Sequence, residues 1–304
     1  MLGLVVGSFL NVVIYRLPVM LEREWRQQCA EIARNDAAAA APQTGPSGPA
    51  EAHGSPQAAQ EPFNLAVPRS TCPSCKAPIT ALQNIPVVSY LLLRGRCARC
   101  GAAISGRYPL VEALTGVLSA AVAWKFGFGL ATLGGLIVTW FLIALTFIDL
   151  DHQLLPDSLT LPLLWLGLLL SLWAGTGAGG PGGATAAIPI DPRSSIIGAI
   201  AGYLSLWSVY HLFRLVTGKE GMGYGDFKLL AALGAWMGWE MLIPIILVAA
   251  VVGAVVGIIT LKSRGQSTAT PIAFGPFLAA AGWLMMMFGQ PLVSGYLGMF
   301  TPRP

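Results

Sequence analysis

Apolar residues run in blocks along this chain, separated by short polar stretches. The blocks cover roughly 1–15, 108–126, 129–149, 158–175, 195–216, 227–240, 242–261 and 274–290. None keeps the period-2 alternation of a half-buried strand, and most approach the about 20 residues that a helix needs to cross a bilayer. Only helices or closed barrels satisfy their backbones in lipid. The pattern therefore predicts an all-α polytopic membrane protein with about eight transmembrane helices. Block 227–240 is the shortest internal one, and Gly234 and Gly238, four residues apart, suit close helix packing. Block 1–15 is short for a span. It lacks the basic start and small-residue cleavage site of a signal peptide, so further residues are expected upstream of Met1.

Composition agrees with the pattern. The chain is 55% hydrophobic and 11% charged, where an average soluble domain is about 25% charged. The net charge of +4 comes from basic residues scattered along membrane flanks, which argues against a nucleic-acid surface.

A polar region separates the first two blocks. Residues 19–35 read as a short amphipathic helix on the membrane surface. Residues 37–62 are rich in Ala, Pro, Gly and Gln and read as a disordered insert, with too few large apolar groups to offset the entropy of ordering. The loop 174–193 is Gly-rich. The expected organisation is a first transmembrane segment at 1–15, a cytoplasmic region at 16–107 and a transmembrane core at 108–304. Orientation follows from the 18 Lys and Arg residues. With eight spans, all but Lys125, Arg193 and Arg303 fall on the side of the first loop, which the positive-inside rule makes cytoplasmic.

Two Cys-x-x-Cys pairs, Cys72/Cys75 and Cys97/Cys100, lie in that first loop, and Cys29 is left over. Such spacing in a reducing compartment reads as a four-thiolate, zinc-ribbon-like site. Four thiolates leave no open coordination position, so the zinc would be structural.

Two aspartates stand at the edges of apolar blocks. Asp149 ends one of them in FIDLDHQLLPD, and Asp226 follows the glycine-rich GMGYG and precedes FKLLAALGAW. A carboxylate at a membrane boundary is costly and is a functional candidate by default. The span count puts both on the cytoplasmic side. Two close carboxylates share a proton, so one can act as general base and the other as general acid. Gly223 and Gly225 let a substrate backbone approach closely. Plainer roles exist: Asp157 can cap the helix after Pro156, Asp151 and His152 can be solvated, and Asp226 can be an N-cap. A phosphate-binding loop is disfavoured, because a helix rather than a strand precedes the glycines.

These residues together resemble the prepilin leader peptidase family of type IV pilus and type II secretion systems. The resemblance rests on GSFLNVVIYRLP (7–18), the Cys pairs, NIPVVSYLLLRGRC (84–97), GRYPLVEALTG (106–116), FIDLDHQLLPD (147–157), GKEGMGYGDFKLLAALGAW (218–236) and PIAFGPFLAAAGW (271–283). It implies an inner-membrane aspartic peptidase with Asp149 and Asp226 as the catalytic pair and Gly223 and Gly225 in the active-site loop. Asp149 is chosen over Asp151 because the family's catalytic acid stands seven residues before the proline, here Pro156. The implied substrates are type IV prepilins and type II secretion pseudopilins, cut after a glycine at the cytoplasmic face and then N-methylated from S-adenosylmethionine. No donor-binding signature stands out, so methyl transfer rests on the resemblance alone, with 84–116 and the cysteine module as its expected location. The acids Asp151, Asp157 and Glu220 are the expected partners of the basic leader. A proton-coupled transporter with the aspartates as a relay is the alternative, as is an inactive scaffold. The chain lacks the matching broken helix that a repeat transporter would carry.

Overall fold

A computed structural model describes residues 1–40, 63–80, 82–175, 191–264 and 273–300. Among these the chain is helical, with no strand and only two isolated bridges. The long helices are α1 (Leu2–Ala40), α3 (Arg107–Phe126), α4 (Leu130–His152), α5 (Asp157–Gly175), α6 (Pro192–Thr217), α7 (Tyr224–Met237), α8 (Leu242–Arg264) and α9 (Gly275–Phe300); α2 (Val88–Leu92) is a single short turn of helix. Each apolar block thus holds a helix. By length and composition, five of the described helices can cross a membrane: α1, α3, α4, α6 and α8. The apolar stretches Asp157–Trp173 and Gly275–Gly289 are shorter, and α7 has only 14 residues. Eight long helices are present among the described residues, but the count of eight spans does not follow from them.

The N-terminal region departs from expectation. Instead of a span at 1–15 and a separate surface helix at 19–35, α1 runs unbroken for 39 residues through Pro18. Proline removes one intrahelical hydrogen bond. The residues after it, LEREWRQQCAEIAR, are mostly strong helix formers, which carry the helix on. A helix of this length extends about 58 Å, against a hydrocarbon core of about 30 Å. The helix also takes in residues 37–40 of the expected disordered insert; 41–62 lie outside the described residues, as does 176–190 of the Gly-rich loop.

The core is built around α7. From Asp226 to Met237 every residue except Lys228 is buried, with α5, α6 and α9 packed around the helix. Small residues make this possible. A Cβ placed on Gly198 of α6 would fall onto the Gly234 carbonyl of α7, and one on Gly202 would lie 2.7 Å from the Leu230 oxygen. Trp236 Nε1 donates to the Leu163 carbonyl at 2.7 Å, and Ser195 Oγ donates to that of Ala235 at 2.6 Å, which ties α5 and α6 to α7. A second apolar cluster of Leu10, Ile14, Val111, Ile143, Ala144 and Ile148 joins α1 and α3 to α4. Trp283 Nε1 donates to Thr139 Oγ1 at 3.1 Å and locks α9 onto α4. The last turn of α4 and the first turns of α7 and α9 consequently meet at one end of the bundle.

Candidate active site and metal centre

Asp149 lies in the last turn of α4, which Gln153 closes in the left-handed region (φ 51°) by donating its N–H to the Asp149 carbonyl at 2.9 Å. Asp226 lies in the first turn of α7, where its own N–H reaches the Gly223 carbonyl at 3.3 Å. The two acids are 5% and 6% exposed, and each carboxylate lies within electrostatic reach of the other. Asp149 Oδ2 is buried and has no hydrogen-bond partner among the described residues. Leu155, from the loop between α4 and α5, packs against the first turns of α7 and α9. A Cβ on Gly225 would lie 2.6 Å from Leu155 Cβ, so the glycine is a steric necessity there. Gly223 differs: a side chain would meet open space, its φ of −83° suits any residue, and it serves as the N-cap of α7.

The neighbouring acids are engaged elsewhere. Arg107 grips Asp151 with both terminal nitrogens, at 2.8 and 2.5 Å, and Asp151 stays 32% exposed. Lys228 donates to both oxygens of Asp157 at 2.6 and 2.7 Å, and Glu220 lies 3.8 Å from Arg214. The three acids expected to meet a basic leader thus already have cationic partners. Burial separates Asp149 from Asp151.

The four paired cysteines converge, with all Sγ atoms within 4.8 Å of one another. Cys72 and Cys100 Sγ lie 3.8 Å apart, the edge expected of a tetrahedron with zinc–sulfur bonds of about 2.3 Å. The two knuckles repeat one turn. Lys76 N–H bonds the Cys72 carbonyl at 2.9 Å, Gly101 N–H bonds that of Cys97 at 2.9 Å, and both donors have positive φ. The backbone amides of Cys75 and Ser74 hold the Cys72 thiol down at about 6, and those of Cys100 and Arg99 lower Cys97. The Ala102 amide favours a Cys100 thiolate, but burial and the three neighbouring thiols outweigh it and push that group up to about 11. This donor set can hold a metal ion such as zinc. Cys29 stands apart and exposed on α1. The buried Arg16 tethers the module to α1 by donating to the carbonyls of Asn64 (2.8 Å) and Pro68 (2.5 Å).

Residues 1–126 match the model of the bacterial peptidase A24 N-terminal domain, and residues 136–258 match that of the type IV leader peptidase family. A prepilin leader peptidase/N-methyltransferase of Aeromonas hydrophila is 51% identical over 98% of this chain and 92% of its own length. The chain belongs to the type IV leader peptidase family. Leader peptidase relatives of the same description from Pseudomonas aeruginosa and Neisseria gonorrhoeae are 48% and 49% identical, over 98% and 93% of this chain and 91% and 87% of theirs. No solved structure matches the chain.

Two residues of this leader peptidase were not singled out from the sequence. Glu112, buried on α3, accepts the N–H of Val87 at 2.7 Å and holds that β-branched residue at φ 59°, a costly conformation. An acid inside an apolar block was the available signal. Gly275, the first residue of α9, would place a Cβ 2.5 Å from Asp149 Oδ2. Its place in the stretch 271–283 that carries the family resemblance, and before Pro276 at the start of a helix, was the available signal.

Proposed function

We propose that this chain is a membrane aspartic peptidase. It cleaves the basic leader of type IV prepilins, and of type II secretion pseudopilins, after a glycine at the cytoplasmic face of the inner membrane. It then N-methylates the new terminus. The supporting observation is the pair Asp149 and Asp226, both buried, brought from separate helices to one end of the bundle, with Asp149 Oδ2 unpartnered.

On this reading one carboxylate takes a proton from water as the hydroxyl oxygen attacks the scissile carbonyl carbon. The other, protonated, gives its proton to the carbonyl oxygen. Collapse of the tetrahedral diol breaks the C–N bond: the carboxyl group that took the water proton gives it to the leaving amine, and the other, now ionised, takes a diol hydroxyl proton as the carbonyl re-forms. Gly223, beside which a side chain would meet open space, lets the substrate strand pass close to Asp226, while the substrate's apolar helix stays in lipid. The cysteines Cys72, Cys75, Cys97 and Cys100 would hold a structural zinc that orders 63–105 and takes no part in peptide cleavage. S-adenosylmethionine would supply the methyl group; none of the described residues is assigned to hold it. The transporter reading has no support in the relatives' descriptions.

The test is cleavage of a purified prepilin in detergent, beside Asp149→Asn and Asp226→Asn, with the product read by mass. The expected result is a cut after the leader glycine that both variants lose, and a gain of one CH2 unit when the methyl donor is added. Normal cleavage by either variant would remove that residue from the catalytic pair.

A further inference from the structure

We propose that the first turn of α9 is a third wall of the peptidase site, and that Gly275 is a positioning residue whose missing side chain keeps open the space beside Asp149 Oδ2 where the reacting oxygen must sit. The inference rests on the peptidase reading and goes beyond the two segments that carry the aspartates. Gly275 also lies outside residues 136–258, the stretch matched by the family model.

Three observations converge. Asp149 is buried, yet its Oδ2 has no partner among the described residues. Native proteins rarely leave such an atom orphaned; the space beside it takes an ordered water or is kept for chemistry. That space borders Gly275: a Cβ there would lie 2.5 Å from Oδ2 and 3.2 Å from both Asp149 Cγ and Leu155 Cδ1. The backbone of Gly275 is outside the left-handed region, so conformation does not call for glycine and only the steric reason remains. The Gly275 amide also faces the Asp149 carboxylate. Its neighbour Pro276 has no N–H, and the N–H groups of Phe277 and Leu278 both turn back to the Phe274 carbonyl at 3.1 Å. This leaves the Gly275 amide, at the positive end of a 26-residue helix, as the one that serves that carboxylate. The Trp283–Thr139 hydrogen bond fixes α9 to α4, so this end does not depend on a loop for its position.

A packing role would also explain a small residue, and Gly282 supplies the comparison. It lies on the same helix, and a Cβ there would be 2.7 Å from Leu233 Cδ1, well away from either carboxylate. Gly275→Ala and Gly282→Ala are assayed for prepilin cleavage and thermal midpoint in detergent, beside wild type and Asp149→Asn. We expect Gly275→Ala to lose about 100-fold in kcat with little change in KM, the cost of misplacing a reacting group by about 1 Å. Gly282→Ala should keep kcat at an equal or lower midpoint. Wild-type kcat in Gly275→Ala, or equal kcat losses in the two variants, overturns the proposal. A second measurement does not depend on Gly275→Ala folding. Ala273→Cys in a Cys29→Ser background is alkylated with and without a statine-containing peptide that mimics the tetrahedral intermediate. Protection by the peptide is expected, and unchanged labelling would overturn the proposal. Failure of the peptidase reading is a separate result: no cleavage by wild type, or full cleavage by Asp149→Asn.

Discussion

Gly198→Ala is the sharpest test of how the core positions Asp226. A methyl on Gly198 falls onto the Gly234 carbonyl oxygen and lies 2.9 Å from the carbonyl carbons of Gly234 and Gly238. These are backbone atoms, so no rotamer change relieves the clash. Ordinary carbon contact needs about 3.5 Å or more, so α6 and α7 must part by roughly 0.5–1 Å. Alanine's better helix propensity returns about 1 kcal/mol, while overpacking costs about 1–3 kcal/mol. The rigid contact argues for the upper end, and the net loss should be about 2 kcal/mol. Asp226 rides on the displaced helix, so cleavage should fall by one to two orders of magnitude, about the cost of a 1 Å misplacement. Gly253→Ala is the control with the opposite sign. Its methyl meets only the Phe277 ring at 3.2 Å, which can give way, so the propensity gain should survive. Thermal midpoints in detergent and prepilin cleavage rates decide the matter. Equal midpoints and equal rates for the two variants would refute the claim that α6 and α7 meet backbone to backbone.

The other expectations concern the polar groups. Asp151→Asn should retain cleavage within a few-fold, because it removes only a half-exposed pair with Arg107 worth about 0–1 kcal/mol; loss as complete as in Asp149→Asn would put Asp151 in the catalytic pair instead. Lys228→Ala should likewise cost under about 1 kcal/mol in unfolding experiments, since Asp157 remains solvated. Glu112→Ala leaves the Val87 N–H without its acceptor and should cost about 1–3 kcal/mol, read as a lower thermal midpoint. Chelation, or Cys97→Ser, should release one metal ion per chain by elemental analysis and expose 63–105 to protease, while α4–α9 stay folded.

The helices of the core were legible because apolar blocks leave little choice in lipid. The boundary at residue 15 was not, because hydropathy ends there while helix propensity does not, and α1 continues through Pro18. The edges of the apolar blocks placed both aspartates at helix ends, and the Cys spacing foretold that the four thiols converge. What eluded the sequence was pairing across long separations. That Arg107 holds Asp151, that Lys228 holds Asp157, and that a glycine at 275 faces an acid at 149 are products of packing alone. Gly223 and Gly225 of GMGYG looked equivalent, yet their surroundings set Gly225 apart, wedged against Leu155, from Gly223, which faces open space.

The burial of α7 bears on when the protein becomes active. A helix of 14 residues surrounded by protein is retained by α5, α6 and α9 rather than by lipid. The ribosome makes α9 after all of these, and its first turn also covers Asp149. A nascent chain therefore holds both aspartates before it holds the scaffold that aligns them. Arrested chains ending before Gly275 should insert their early helices and cut nothing, so the peptidase acts on neighbouring membrane segments only once α9 has been made.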